Sequence, residues 1–248
     1  MPALFSKIGN QQTLSQEIVQ KIEAVIRQKK VLPAEKLPTE KELCRMFGVS
    51  RTALREALQM LSARGLISIR KGSGIYVNDY SSAHVIEPMN LFLELKLDRD
   101  YILYVVEVRK MFEPTIAQLA ALNRSEDDLR KLSVNLQKLQ QSPPDDCVKQ
   151  GQIDRDFHLI IANACRNPII PLIVTPIFQL MPRIRSIVYA NVKTAQREAV
   201  DYHQRILMKI RDRDPEGAYQ AMIAHLQRAE RHSKEILSAA DLKLQELS

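Results

Sequence analysis

Between Phe47 and Arg51 the chain carries a helix stop and a helix start separated by only three residues. Gly48 can take the left-handed conformation that closes a helix, and Ser50 offers its hydroxyl to the unpaired first-turn amides of the next one. Upstream, Thr39-Glu40-Lys41-Glu42 has the form of a capping box, in which Thr39 accepts from the first turn and Glu42 reaches back to the Thr39 amide. A short helix is therefore expected from about residue 40 to 47, and another from Ser50 to about Arg64. Two helices joined by so tight a turn make a helix-turn-helix.

The flanks extend this unit. Leu14, Ile18, Ile22, Val25 and Ile26 keep a spacing of three or four, the stripe of an amphipathic helix. Beyond Gly65, Leu66-Ile67-Ser68-Ile69 and Ile75-Tyr76-Val77 flank a glycine-containing turn and read as a two-stranded wing. Asn78-Asp79-Tyr80-Ser81-Ser82 has loop chemistry. The length of 248 residues allows two domains, so a boundary is placed there: 1–78 as the first domain and 79–248 as the second.

Every pattern after the boundary is helical, over 99–122, 126–140, 147–165, 168–192, 194–212 and 215–240. Asp214 before Pro215 is a helix-start signal, and Pro176 and Pro182 are expected to kink or divide the 168–192 segment. The fold class is thus mainly α, a winged helix-turn-helix followed by an all-helical antiparallel bundle. No apolar run approaches the roughly 20 residues that cross a bilayer. Met1-Pro2-Ala3-Leu4-Phe5-Ser6-Lys7 is too short and polar for a secretory leader, so the expected location is the cytoplasm, with no membrane partner. Cys44, Cys147 and Cys165 are scattered and odd in number, which argues against a disulfide framework.

Charge separates the two parts. Residues 1–78 hold 13 Lys and Arg against 6 Asp and Glu, whereas the remainder holds 23 of each. A basic excess confined to one segment is the footprint of a module that meets phosphate backbones. In a helix-turn-helix the second helix enters the major groove, and Arg51 and Arg55 lie on one face near its start. Arginine can pair with guanine or clamp phosphate, and Thr52 can reach either. Leu54, Ala57, Leu58 and Leu61 supply the opposite, apolar face.

Lys36-Leu37-Pro38-Thr39-Glu40-Lys41-Glu42-Leu43, Phe47-Gly48-Val49-Ser50-Arg51-Thr52-Ala53-Leu54-Arg55-Glu56-Ala57-Leu58, Leu61, Gly65-Leu66-Ile67 and Gly72-Ser73-Gly74-Ile75-Tyr76-Val77 resemble the winged-helix signature of the GntR family. The resemblance covers about residues 12–78. It implies that Lys41, Arg51, Thr52 and Arg55 contact DNA, with Lys71 and Gly72 at the wing tip, and that the partner is double-stranded operator DNA bound by a homodimer. Two departures stand out. Ala34 occupies a place where the family usually has Gly, so the turn there is expected to differ slightly. Lys41 replaces the frequent Arg, which gives up bidentate geometry and favours phosphate over base.

All five histidines, His84, His158, His203, His225 and His232, lie in the second part. Asp154 and His158 are four apart on a helical stretch, which puts a carboxylate and an imidazole on one face. His203 and His225 fall on two further helices, so four ligands can converge inside a bundle. Asp156 points roughly 200° away from Asp154, and His232 lies about 10.5 Å along the helix from His225, so both cannot serve one ion. His225 is preferred.

Arg109-Lys110-Met111-Phe112-Glu113, Asp154-Arg155-Asp156-Phe157-His158, Asn167, Asp201-Tyr202-His203 and Ala221-Met222-Ile223-Ala224-His225-Leu226 are similar to the FCD domain of the FadR subgroup, over about residues 95–235. In the metal-containing branch of that subgroup one Asp and three His hold a divalent transition metal, and the resemblance places them on Asp154, His158, His203 and His225. It also places Arg109 in the effector pocket. The full ligand set argues against a fatty acyl ligand. Zinc or nickel comes first, but ligand type alone does not choose among zinc, nickel, cobalt, manganese and iron.

An ion with open positions suits a small carboxylate effector such as a hydroxy acid, a dicarboxylate or a sugar acid. Arg183 and Arg185 are possible helpers, with a solvated face the preferred reading of both. The functional expectation is a repressor, not an enzyme, whose operator binding responds to such an acid. A purely structural or metal-sensing site is the alternative, and a metal-dependent hydrolase the remaining one.

Overall fold

The structure, a computed structural model, describes residues 13–79 and 82–245. The opening stretch Met1–Lys7, and Tyr80 and Ser81 of the expected loop, lie outside the described residues. The chain divides between His84 and Val85 into two compact units.

The first unit contains α1 (Leu14–Arg27), α2 (Glu40–Phe47), α3 (Arg51–Ala63), β1 (Ile67–Arg70) and β2 (Gly74–Val77). The local signals act where the sequence puts them. Thr39 accepts from the Glu42 amide, the Glu42 carboxylate returns to the Thr39 amide at 2.8 Å, and Gly48 is left-handed with φ 67°. Ser50 then caps α3 by accepting from the Ala53 amide. β1 and β2 pair antiparallel from Ile67 opposite Val77 to Arg70 opposite Gly74, leaving Lys71-Gly72-Ser73 as the tip of the wing. Ile18, Ile22, Leu54, Leu58, Leu61 and Ile67 are buried together, so the apolar face of α3 anchors the unit and its polar face looks outward.

Ala34 takes the left-handed conformation, φ 66°, while its amide donates to the Val77 carbonyl at 2.9 Å. Ala34 thus adopts a conformation that glycine takes freely, at the steric cost a Cβ carries in that region.

After α4 (Ala83–Lys96), the second unit runs through α5 (Arg99–Asn123), α6 (Glu126–Gln140), α7 (Cys147–Ala164), α8 (Ile169–Phe178), α9 (Met181–Asn191), α10 (Ala195–Arg211) and α11 (Pro215–Gln245). The fold class is mainly α, as expected. Two details differ from the sequence reading. α4 was not anticipated: it carries Pro88 inside and none of its side chains is fully buried, its half-buried stripe being Ala83, Ile86, Asn90 and Leu93. The 168–192 segment divides at Gln179-Leu180 rather than at a proline. Pro176 lies inside α8, and Pro182 lies in the first turn of α9, where a missing amide costs nothing. Asp214 caps α11 by accepting from the Gly217 amide at 2.8 Å.

α7 is the axis of this unit, packing against α5, α6, α8 and α9. Ala117, Leu132, Phe157, Ile161, Phe178 and Met222 are fully or almost fully buried in the main core. A Cβ at Gly151 would stand 2.6 Å from the Pro182 carbonyl oxygen, so only glycine lets α7 and α9 approach this closely. That approach brings Arg185 and Tyr189, about one and two turns beyond Pro182, against Asp154.

Among the described residues no helix is long and apolar enough to cross a membrane.

Candidate metal centre and DNA-reading face

In the second unit, α7 presents Asp154 and His158 one turn apart on its buried face, α10 presents His203, and α11 presents His225. All four are buried. Nitrogen atoms of His158, His203 and His225 lie within 4.8 Å of one another. Asp154 joins them from the side: its Oδ2 is 4.0 Å from Nε2 of His158 and its Oδ1 is 3.7 Å from Nε2 of His203. Phe157 stacks on the His203 ring at 3.9 Å between centroids and fixes its plane.

Burial pushes the His203 imidazole down to about 3, and it pushes His225 well below its ordinary value, with the neighbouring cationic groups adding to both shifts. Their lone pairs are therefore free at neutral pH, the form in which imidazole binds metal. Burial alone would raise Asp154, but Arg185 and then the histidines overcome it and hold the carboxyl below the usual range. A carboxylate and neutral imidazoles are a fitting donor set for a divalent transition metal. Asp154 Oδ2 and both ring nitrogens of His203 are buried without hydrogen-bond partners. Such atoms need an explanation in a packed interior, and an ion supplies one.

The surrounding residues hold this set in place. Arg109, buried on α5, donates from Nε to Glu113 Oε1 at 2.5 Å and from a terminal nitrogen to Nε2 of His158 at 3.2 Å. Arginine has no acceptor, so Nε2 accepts and the His158 proton sits on Nδ1. Nδ1 faces Glu113 Oε2 at 2.5 Å, turned off the hydrogen-bond line. On the other side, the Tyr189 hydroxyl donates to Asp154 Oδ1 at 2.9 Å and Arg185 donates to that hydroxyl at 3.1 Å.

Several expectations can be set against this geometry. The cluster contains His225 and not His232, which packs with Nε2 3.2 Å from Glu198 Oε2. Asp156 pairs with Arg155 instead. Arg183 is exposed, in keeping with a solvated face, but Arg185 is 4% exposed and lies against Asp154, which corrects the reading of that residue. Glu113 and Tyr189 were not singled out as site residues. The only sequence signal for Glu113 was its place four residues after Arg109.

In the first unit, Lys41, Arg51, Thr52, Arg55, Lys71 and Gly72 are all exposed. Arg51, Thr52 and Arg55 share the outward face of α3, and Arg55 Nε pairs with Glu40 Oε2 at 2.9 Å. An open groove between the wing and the start of α2 is lined by Lys36, Glu40, Arg55, Arg70 and Lys71 among others. Lys36 and Arg70, both beside the Tyr76 ring, are basic groups the sequence reading did not assign to DNA contact.

A winged helix with a basic reading face, carried on one chain with a helical domain that buries a cluster of ligating side chains, defines a DNA-binding transcription regulator with a sensor domain. The chain belongs to the GntR family of bacterial regulatory proteins: residues 14–77 match the model of that family, and residues 104–228 match the FCD domain. It is 30% identical over 210 residues to the HTH-type transcriptional regulator LutR of Bacillus subtilis (strain 168), covering 83% of this chain and 94% of that one. It is also 30% identical over 220 residues to the HTH-type transcriptional repressor NanR of Citrobacter rodentium (strain ICC168), covering 86% and 82%. Among solved structures, Streptococcus agalactiae GntR matches with a TM-score of 0.69 and 25% identity over 88% of this chain and 99% of that one. These relatives are DNA-binding regulators and not enzymes, which sets the hydrolase reading aside.

Proposed function

We propose that this regulator is a cytoplasmic repressor whose grip on a two-fold symmetric operator, held as a homodimer, is set by a small organic acid bound at a metal in the FCD domain. The observation that carries this reading is the convergence of buried Asp154, His158, His203 and His225 from three helices, with Asp154 Oδ2 and the His203 ring nitrogens unpartnered, beside the Arg109 guanidinium. A divalent ion there, zinc or nickel first, supplies an electrophilic centre with positions open to carboxylate oxygens. Arg109 supplies a planar fork for the same carboxylate, and Glu113 keeps that fork oriented. Lys41, Arg51, Thr52, Arg55, Lys71 and Gly72 form the DNA contact, with residues 1–78 as the reading domain and 79–248 as the sensing and dimerising one. The similarity to the transcriptional repressor of Citrobacter rodentium supports repression.

To act as an effector the acid must bind one arrangement of the protein better than another. The test is calorimetry of the protein, metal-stripped and then zinc-loaded, against a panel of hydroxy acids, dicarboxylates and sugar acids, with operator binding followed by fluorescence anisotropy. The expected result is heat only in the loaded protein, and a shift in operator affinity with the acid that binds. Operator affinity that follows the metal alone marks a metal sensor. Loss of folding on stripping, with no acid bound after reloading, marks a structural site.

A further inference from the structure

Among the described residues that line the groove between the wing and the start of α2, Glu40 is the only acid, set with Lys36, Arg55, Arg70 and Lys71. A carboxylate on a face that meets phosphate weakens every complex that face makes, so its presence calls for a reason. Capping is not that reason, because Thr39 and Glu42 already close the start of α2. Glu40 instead accepts from Nε of Arg55 at 2.9 Å, 15 residues along the chain and on the next helix.

Which edge of the guanidinium Glu40 takes is what matters. Guanine O6 and N7 can be met side-on, through Nε and a terminal nitrogen, or end-on, through both terminal nitrogens. Glu40 occupies the side-on edge, and the terminal nitrogens of Arg55, which make no hydrogen bond among the described residues, are the edge left for a base. The Arg55 side chain is 64% exposed and that of Glu40 34%, so the pair adds little to the stability of the fold. What it restricts is the rotamer freedom of a long side chain, which a base contact must otherwise remove on binding.

We propose that Glu40 is a specificity-determining positioning residue: by holding Nε of Arg55 it aims the terminal fork of that arginine at a guanine edge, and as an acid in a basic groove it weakens binding to duplexes of any sequence. Both effects widen the gap between the operator and other DNA, one by favouring the right base and the other by disfavouring the rest. Glu40 touches no base itself and acts through Arg55. The inference rests on the reading of α3 as the helix that meets DNA and adds to it a residue from α2.

The experiment lets the full chain select duplexes from a random-sequence library, and sequencing of the bound pools gives the preference at each base position. Arg55→Ala is expected to flatten a guanine preference of roughly tenfold at one position of each half-site. Glu40→Ala should cut the preference at that same position to a few-fold and leave the other positions as they were. It should also raise affinity for a scrambled duplex by about threefold, the effect of removing one like charge near phosphate. Glu40→Asp, which keeps the charge and the acid at the helix start but falls short of Nε, should lose the preference without that rise. In the Arg55→Ala background, loss of Glu40 should change no base preference. A thermal melt checks that each variant folds. A guanine preference that survives both Glu40→Ala and Glu40→Asp overturns the proposal and leaves base reading by Arg55 intact. Preferences that fall at every position alike also overturn it, since they mark a brace between α2 and α3. If Arg55→Ala flattens no position, the Arg55 base contact fails and this inference with it.

Discussion

Glu113 Oε2 stands 2.5 Å from Nδ1 of His158, and the same carboxylate accepts from Arg109 at 2.5 Å through its other oxygen. One buried acid on α5 thus stands behind a ligating imidazole and sets the direction of the guanidinium beside it. Carboxylates placed behind metal-binding histidines typically account for about 10–100-fold in metal affinity. Glu113→Gln keeps the shape but removes the charge, so zinc affinity, read by competition with a chromophoric chelator, is expected to fall within that range. It also leaves the Arg109 charge without its carboxylate, so the urea midpoint drops as well. An unchanged zinc affinity would show that Glu113 serves Arg109 alone.

How much of this was legible in the sequence depended on how local each cause is. The helix-turn-helix was legible because Thr39, Glu42, Gly48 and Ser50 each act within about one turn of themselves. Asp154 and His158 were legible as a pair because four residues make one helical turn. Glu113 was not, since only the packing of α5 against α7 brings it to His158, 45 positions along the chain. Arg185 was misread because its acidic partner, Asp154, lies on α7 and is reached only through the close α7 and α9 approach that Gly151 permits. α4 escaped notice because its half-buried stripe mixes Ala83 and Asn90 with Ile86 and Leu93, while Val85, Met89, Leu91, Phe92 and Leu95 put apolar residues on its exposed sides.

On the DNA side, Arg51 and Lys71 separate two kinds of contact. Arg51 is exposed in the first turn of α3, the helix expected in the major groove, whereas Lys71 is exposed at the wing tip. Arg51→Ala is expected to cost about 1–3 kcal/mol and to relax the sequence preference at one position of each half-site. Lys71→Ala should weaken all sequences alike and lower the salt slope by about one. Anisotropy titrations over a range of salt on operator and scrambled duplexes measure both. If Arg51→Ala and Arg55→Ala together leave operator affinity unchanged, α3 is not the reading helix.

Acid should loosen the second unit. His203, at about 3 in the folded protein against an ordinary 6.5, and His225, also lowered, bind fewer protons folded than unfolded. Between those limits the unfolded chain takes up the extra protons, so stability rises with pH and is lost as pH falls from about 6.5 toward 3. Glu113, lowered to about 2 because the cations beside it overcome its burial, adds the same sign at the acid end, from about pH 4.5 downward. Urea midpoints measured from pH 8 to pH 4 are expected to be level above about 7 and to fall steadily below it. Bound metal should steepen the fall, because its ligands must be deprotonated. A midpoint that held level from pH 7 to 4 would mean these imidazoles are not buried as neutral groups.

Ala34 offers a test that needs neither metal nor DNA. Its φ of 66° places it in the left-handed region, which costs a residue with a Cβ about 1–2 kcal/mol and glycine almost nothing. Its amide is bonded to Val77 on β2, so the wing cannot relax this strain without losing a hydrogen bond. Glycine also adds freedom to the unfolded chain, which takes back roughly 0.5–1 kcal/mol. The balance favours Ala34→Gly by about 0.5–1 kcal/mol, visible as a higher melting midpoint of the winged helix and as slower amide exchange at Ala34's neighbours on β2. A lower midpoint would mean that the turn carries no strain at Ala34 and that unfolded-state entropy decides the sign.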